Sequence, residues 1–145
     1  MEYQGRFSDL NSQMNELMYD IIMSKNLSRL LYYNDKSPLS SSKADVSNPY
    51  DLLYKKVFPI YYIPGTNDEA SSFVTILFRG FTPSKGSQFT FNRVYFHVIV
   101  HQDLVRTNYG SRLFLIMNEI DKLFGDKDMG VGKLVYKTGD DILNL

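Results

Sequence analysis

The chain has 145 residues, no cysteine, 43% hydrophobic residues and a formal net charge of zero, from 16 Lys+Arg and 16 Asp+Glu. The length favours one domain over residues 1–145, and the hydrophobic content excludes intrinsic disorder. The absence of cysteine excludes disulfides, thiolate metal sites and thiol catalysis. The charge balance argues against sequence-independent nucleic-acid binding, which depends on an excess of Lys and Arg.

The apolar runs are too short for a membrane helix, which needs about 20 such residues. The two longest runs lie at residues 73–81 and 94–100. The N-terminal residues also lack the apolar block of a secretion signal. We therefore expect a soluble chain made in the cytoplasm, without a membrane partner.

The first predicted element is an amphipathic helix over residues 9–24, with Ser8 or Asp9 as its cap. Its apolar residues share one stripe at helical spacing: Leu10, Met14, Leu17, Met18, Ile21 and Ile22. A short second helix is predicted at 27–33. Residues 34–49 hold two prolines and a run of serines, which predicts a long loop. Either this loop is a mobile surface segment, or it becomes ordered against a partner.

Strands dominate the middle of the sequence. Residues 57–63 follow a possible helical turn at 50–56, and Pro59 predicts that their strand lies at an edge or a bulge. Residues 72–81 and 88–101 are rich in β-branched and aromatic residues, which favours two strands joined by a turn. A hairpin symmetric about Lys85 would pair Val74 with Phe96 and Ile76 with Val94.

The two faces of this hairpin differ in character. One face, here called the even face, is almost purely apolar: Val74, Ile76, Phe78, Val94, Phe96, Val98 and Val100. The other, the odd face, is mixed, aromatic and basic: Thr75, Leu77, Arg79, Phe91, Arg93, Tyr95, His97, Ile99 and His101. Such alternation is typical of an antiparallel sheet with one face on the core.

A last helix is predicted over 109–124, capped by Thr107 or Asn108 and ended by Gly125. A short strand at 133–138 and a tail at 139–145 complete the chain. The element order favours an α+β fold with a mainly antiparallel sheet. Its central hairpin should carry the N-terminal and C-terminal helices on one face.

The sequence assembles no catalytic constellation, and we expect neither an enzyme nor a bound cofactor. His97 and His101 lie four residues apart on one strand, about 13 Å, which is too far for one metal ion. Residues 126–137 lack the glycine and glutamate of a calcium loop. Glu119 and Lys122 form an ordinary i, i+3 surface pair rather than part of a nuclease site.

The odd face is the candidate binding surface. Tyr95 and Phe91 beside Arg93 are similar to a base-stacking platform, so a small nucleic-acid-binding module is one alternative. Protein interfaces are also rich in Tyr, Phe and Arg. The zero net charge favours the protein interface, without specific nucleic-acid binding.

The C-terminal half carries a family resemblance. The strand 94–100, the H-x-D turn at 101–103 and the helix motif at 110–123 (GSRLFLI, then NEIDKL) follow one another. Together with Leu-Leu-Tyr-Tyr at 30–33 and Ser-Pro-Leu at 37–39, this arrangement resembles tail terminators and neck proteins of tailed bacteriophages.

The resemblance implies a non-enzymatic virion structural protein. Such subunits assemble as a ring, often a hexamer, that caps the tail tube and joins it to head-completion and connector proteins. The expected location is the neck or tail of the virion, with the host cytoplasm as the site of assembly. No catalytic or cofactor-binding residue transfers from the family.

A closed ring needs a head-to-tail contact between two different patches of one subunit. Opposite charges on the two patches would set the register of that contact. The candidate residues are basic and aromatic on one side and acidic on the other: Arg79, Arg93, Tyr95 and His97 against Glu119, Asp121, Asp140 and Asp141.

Overall fold

A computed structural model describes residues 7–60, 69–83, 89–91, 93–127 and 134. Within these ranges the chain has the predicted α+β fold. The helices are α1 (Ser8–Met23), α2 (Lys25–Tyr32) and α3 (Arg112–Phe124), with 3-10 turns at Pro49–Leu52 and Gln102–Leu104. The strands are β1 (Val57–Phe58), β2 (Ser72–Arg79), β3 (Thr82–Pro83), β4 (Phe89–Thr90), β5 (Arg93–Val100), β6 (Arg106–Thr107) and β7 (Gly110–Ser111).

The central sheet has the strand order β1-β2-β5. The edge strand β1 runs parallel to β2, and β2 runs antiparallel to β5. Ile76 lies opposite Phe96 and Val74 opposite Val98, so the predicted register is wrong by two residues. A shift of two keeps every side chain on its face, and the predicted division into faces survives.

The even face lies on the hydrophobic core, as predicted. Val74 and Ile76 are fully buried, and the Phe96 ring stacks on that of Phe124 in α3 at 5.0 Å between centroids. The helices contribute the other side of the core: Leu10, Leu17, Met18, Ile21, Ile22, Leu27, Leu30, Leu31, Ile116, Ile120 and Phe124. The sheet is thereby covered on this face by all three helices.

The predicted helix caps are wrong at both helices for which they were proposed. The N-cap residue of α1 is Phe7, which makes no side-chain cap. Ser24 separates α1 from α2, and its hydroxyl accepts a hydrogen bond from the N–H of Leu27 at 3.3 Å. A serine inside the predicted sequence of the first helix therefore starts the second one.

The helix α3 begins three residues later than predicted because residues 106–111 form a small β-hairpin. The Thr107 hydroxyl donates to the carbonyl of Gly110 at 2.7 Å and accepts from the N–H of Tyr109 at 3.1 Å. Thr107 thus stabilises the turn instead of capping a helix. Gly110 has a φ of 114°, a conformation that favours glycine.

Gly125 ends α3 as predicted, but for a different reason. Its φ is −59°, so it does not adopt a left-handed conformation. A Cβ atom at this position would lie 2.7 Å from the carbonyl oxygen of Asp121. Close approach of the backbone, rather than a positive φ, makes glycine suitable here.

The segment 34–48 contains turns and bends but neither helix nor strand. The side chains of the buried Arg29 and the half-buried Tyr33 bind its backbone. Arg29 donates to the carbonyls of Ser40 at 3.3 Å and Lys43 at 2.5 Å. The Tyr33 hydroxyl donates to the carbonyl of Ala44 at 2.7 Å. The loop was predicted correctly, but these anchors do not fit the expectation that it is mobile.

The C-terminal predictions fall mostly outside the described residues. The predicted strand at 133–138 is represented by Leu134 alone, whose N–H donates to the carbonyl of Lys127 at 2.7 Å. The tail at 139–145 lies wholly outside. None of the helices in the described ranges is long and apolar enough to cross a membrane.

Candidate functional site: a basic groove on the sheet

The odd face carries an open groove of about 490 Å³ at the end of the β2–β5 hairpin. We call it the basic groove. The described residues that line it are Leu77, Arg79, Gly80, Arg93, Tyr95 and His97. It therefore brings together all four basic and aromatic residues predicted for the interface.

Two arginines form the basic end of this groove. Arg79 and Arg93 are directly opposite each other in the β2–β5 ladder, and both are exposed. Like charges at directly opposed positions destabilise a sheet. In the part of the chain that the structure describes, neither guanidinium has a carboxylate within ion-pair distance. The pair therefore offers an uncompensated double positive charge.

His97 lies on the same face of β5, two residues beyond Tyr95. Partial burial lowers the pKa of its imidazole below the ordinary value, and the positive charge of Arg79 lowers that pKa further. Both effects disfavour the imidazolium form. At neutral pH the positive charge of the groove therefore comes from the two arginines.

The aromatic part of the groove differs from the prediction. Tyr95 is 38% exposed, and its ring lies 6.3 Å from that of His97. Phe91, by contrast, stacks on the core residue Phe78 at 4.0 Å and 12°. The predicted long strand is interrupted between β4 and β5, so the alternation of faces does not extend to Phe91. The proposed base-stacking platform thereby loses one of its two rings.

The two predicted acidic patches are in different situations. Glu119 accepts hydrogen bonds from Asn26 and Lys122, both at 3.2 Å, and its side chain is only 13% exposed. Asp121 is exposed on α3. The patch on α3 thus retains one unpaired carboxylate at most. Asp140 and Asp141 lie outside the described residues.

Sequence reasoning assigned no role to Arg112, although this arginine lies inside the fold. It is fully buried, and its guanidinium donates to four backbone carbonyls at 2.6–2.9 Å: Leu30, Tyr33, Asp35 and Leu104. The signal was available, because Arg112 shares the i, i+4, i+8 stripe with Ile116 and Ile120. An arginine on a buried stripe must find hydrogen-bond acceptors inside the protein.

The histidines do not combine into a metal site. His101 accepts a hydrogen bond at Nδ1 from the N–H of Asp103 at 3.1 Å, which caps the following 3-10 turn. Across the described residues, no group of three His, Asp or Glu side chains could hold a metal ion. The chemistry that the groove offers is the binding of anionic groups beside an apolar floor of Leu77 and Tyr95.

The fold and the groove define a small α+β protein with a basic groove at the open end of one face of its sheet. Comparison with protein families identifies it more closely: a family model described as YomW matches residues 24–145. The chain therefore belongs to the YomW family, a phage-associated family. Comparisons with curated proteins and with solved structures give no match.

Proposed function

We propose that the chain is a non-enzymatic structural protein of a phage particle, a tail-terminator or neck subunit that works as a ring. Membership in a phage-associated family supports the phage context. The observation that carries the structural role is the opposed pair Arg79 and Arg93, exposed and without an acidic partner among the described residues. An acidic patch on a partner would offset the repulsion within this pair and so gain from contact with it.

The groove suits a contact with a different patch better than a contact with its own copy. If the groove lay on a two-fold axis, the same residues would meet across the axis, and two arginine pairs would repel each other. A cyclic ring places the groove of one subunit against a different patch of the next. The ring, a hexamer by the resemblance to terminators, would contact the tail tube on one side and head-completion or connector proteins on the other.

The first test is the assembly state of the purified protein. Sedimentation velocity and negative-stain microscopy should show a closed ring with a mass several times 16.8 kDa. Arg93→Glu should weaken the ring without changing the circular dichroism spectrum, because Arg93 is exposed and off the core face. The control is Arg106→Glu, an exposed arginine on β6 outside the groove.

The second test concerns the particle. Mass spectrometry of purified virions made from the encoding genome should detect the chain as a particle component. Deletion of its gene should give unjoined heads and tails. Particles that lack the chain, or complete particles formed without its gene, would contradict the proposal.

A further inference from the structure

We propose that the basic groove of one subunit binds the acidic C-terminal segment of a neighbouring copy, residues 139–145. This assignment rests on the proposed ring and names the partner of its groove. The segment reads Gly-Asp-Asp-Ile-Leu-Asn-Leu, with two adjacent carboxylates, no cationic residue and three aliphatic residues after the acids.

The charges of the groove and of the segment match in number. Two guanidiniums in the groove would meet Asp140 and Asp141, and an Arg–carboxylate pair is favoured by its two parallel hydrogen bonds. The alternative patch on α3 offers Asp121 alone, since Glu119 is already bound by Asn26 and Lys122. The structure thus favours the C-terminal segment over α3.

The apolar residues match as well. Beyond the arginines, the groove is lined by Leu77 and by the part-exposed ring of Tyr95. Ile142 and Leu143 follow the two aspartates directly. Their side chains would cover this apolar floor while the carboxylates bind at the basic end, which removes apolar surface from water.

The segment is long enough to reach another subunit. Leu134 packs against the hydrophobic core, and residues 135–145 follow it. Asp140 and Asp141 follow Leu134 by six and seven residues, so an extended chain places them up to about 20–23 Å from it. The carboxylates could therefore reach the groove of an adjacent copy that lies within this distance of Leu134.

A mixing experiment with charge-reversed full chains tests the contact. The groove variant is Arg79→Glu/Arg93→Glu, and the tail variant is Asp140→Lys/Asp141→Lys. Each alone should remain monomeric with an unchanged circular dichroism spectrum. In their mixture the aspartate tail of one variant meets the arginine groove of the other, and the lysine tail meets the glutamate groove. Both contacts are complementary in charge, so the mixture should assemble into a ring of alternating variants. The four substitutions in one chain should restore the ring.

Matched controls separate the tail from other acidic surfaces. Asp121→Lys and Arg106→Glu should both assemble like the unmodified chain. A ring that is lost in Asp121→Lys but persists in the tail variant would assign the contact to α3 and overturn the proposal.

A binding measurement keeps this inference distinguishable from the proposed ring. A labelled peptide of residues 138–145 should bind the full-length tail variant. Replacing both peptide aspartates by Asn, or using a chain that also carries Arg79→Glu/Arg93→Glu, should weaken binding by at least about tenfold. Peptide binding without a wild-type ring would support the groove assignment and contradict the ring. If the ring forms equally well in the tail variant and the peptide does not bind, the result would support the ring and contradict the groove assignment.

The same measurements distinguish two other occupants of the basic groove, the segment of the same chain and a nucleic acid. If the peptide binds the tail variant but the unmodified chain is a monomer, the segment returns to the groove of its own chain, which overturns the assignment to a neighbour. If a single-stranded oligonucleotide binds, and Arg79→Glu/Arg93→Glu abolishes that binding while the peptide has no effect, the groove is a nucleic-acid site instead.

Discussion

Arg112 shows how one buried side chain can join distant parts of a small fold. Its guanidinium connects the start of α3 to the C-terminal end of α2, to the loop after α2 and to the 3-10 turn at Gln102–Leu104. Helix ends leave backbone carbonyls without partners, and here a single residue satisfies several of them. Burial lowers the pKa of Arg112, which the nearby charge of Asp35 partly offsets.

Arg112→Lys should destabilise the protein by roughly 3 kcal/mol, because lysine cannot reproduce the planar fork and leaves buried carbonyls unpaired. Urea denaturation measures the free energy of unfolding. The control Arg106→Lys is exposed and should stay within about 0.5 kcal/mol of the unmodified chain. A similarly small loss for Arg112→Lys would show that these four hydrogen bonds are dispensable.

The electrostatics of the basic groove can be tested at His97. Its pKa is lowered first by burial and then by the charge of Arg79. Arg79→Ala should therefore raise the pKa of His97 part of the way toward its ordinary value, since burial remains. An NMR titration of the imidazole Cε1 proton follows this directly. An unchanged or lower pKa would mean that the two side chains do not interact.

The same shift makes a small contribution to the pH dependence of stability. Because the folded pKa of His97 lies below the unfolded value, the unfolded state binds more protons in mildly acidic solution. The contribution of His97 to the free energy of unfolding is therefore fully present above the unfolded pKa, and it decreases as the pH falls below that value. Arg79→Ala should reduce that decrease.

At the scale of elements, the core face of the β2–β5 hairpin should dominate stability. Ile76 is fully buried, and Phe96 stacks on Phe124. Ile76→Ala and Phe96→Ala should each cost about 2–5 kcal/mol, as for other large-to-small core changes. Arg93→Thr, on the opposite face of β5, should cost nothing, because it relieves a like-charge pair. Losses below about 0.5 kcal/mol for both alanine variants would contradict the assignment of faces.

The loop after α2 gives a second prediction at this scale. Arg29 is 6% exposed, binds the carbonyls of Ser40 and Lys43, and forms an ion pair with Asp45 at 3.0 Å. Lys43 is itself paired with Asp35. We expect trypsin to cut slowly after Lys43 in the unmodified chain and much faster in Arg29→Ala. Equal cleavage rates would show that Arg29 does not hold the loop. Arg79→Ala is the control for general unfolding.

The part of the fold that can be predicted is the part that depends on the periodic spacing of apolar residues. The alternation from Val74 to Val100 defines two faces, and the helical stripes identify the helices that cover one of them. The register was wrong by two residues because a shift of two leaves the alternation unchanged. Phe91 was placed on the wrong face because a break in the strand between Thr90 and Arg93 leaves no mark in the pattern of apolar residues.

The candidate site was also predicted only in part. Arg79, Arg93, Tyr95 and His97 were brought together correctly because they share one parity on adjacent strands. The helical stripe shared with Ile116 and Ile120 indicates that Arg112 is buried. It does not identify the carbonyls that Arg112 binds, which lie up to 82 residues away in sequence. The pairing of Glu119 with Asn26 is also a long-range contact. It explains why the α3 patch is less acidic than its sequence indicates.

At the scale of the whole molecule, a net charge of zero hides an uneven distribution. The basic groove concentrates positive charge on one face of the sheet, while Glu16 and Asp20 of α1 share one cation, Lys127, at 3.0 and 2.9 Å. A neutral chain with separate basic and acidic patches is suited to binding copies of itself in one orientation.

A ring held by the basic groove should therefore weaken as salt is added. The screening length falls from about 10 Å at 0.1 M salt to about 3 Å at 1 M. We expect the dissociation constant between subunits to rise at least about tenfold over this range, as measured by sedimentation velocity in NaCl. Arg79→Gln/Arg93→Gln should associate more weakly at low salt and lose most of this dependence. Tighter association at high salt would instead indicate an apolar contact, for which the exposed side chains of Phe114 (66%) and Met117 (38%) on α3 are candidates.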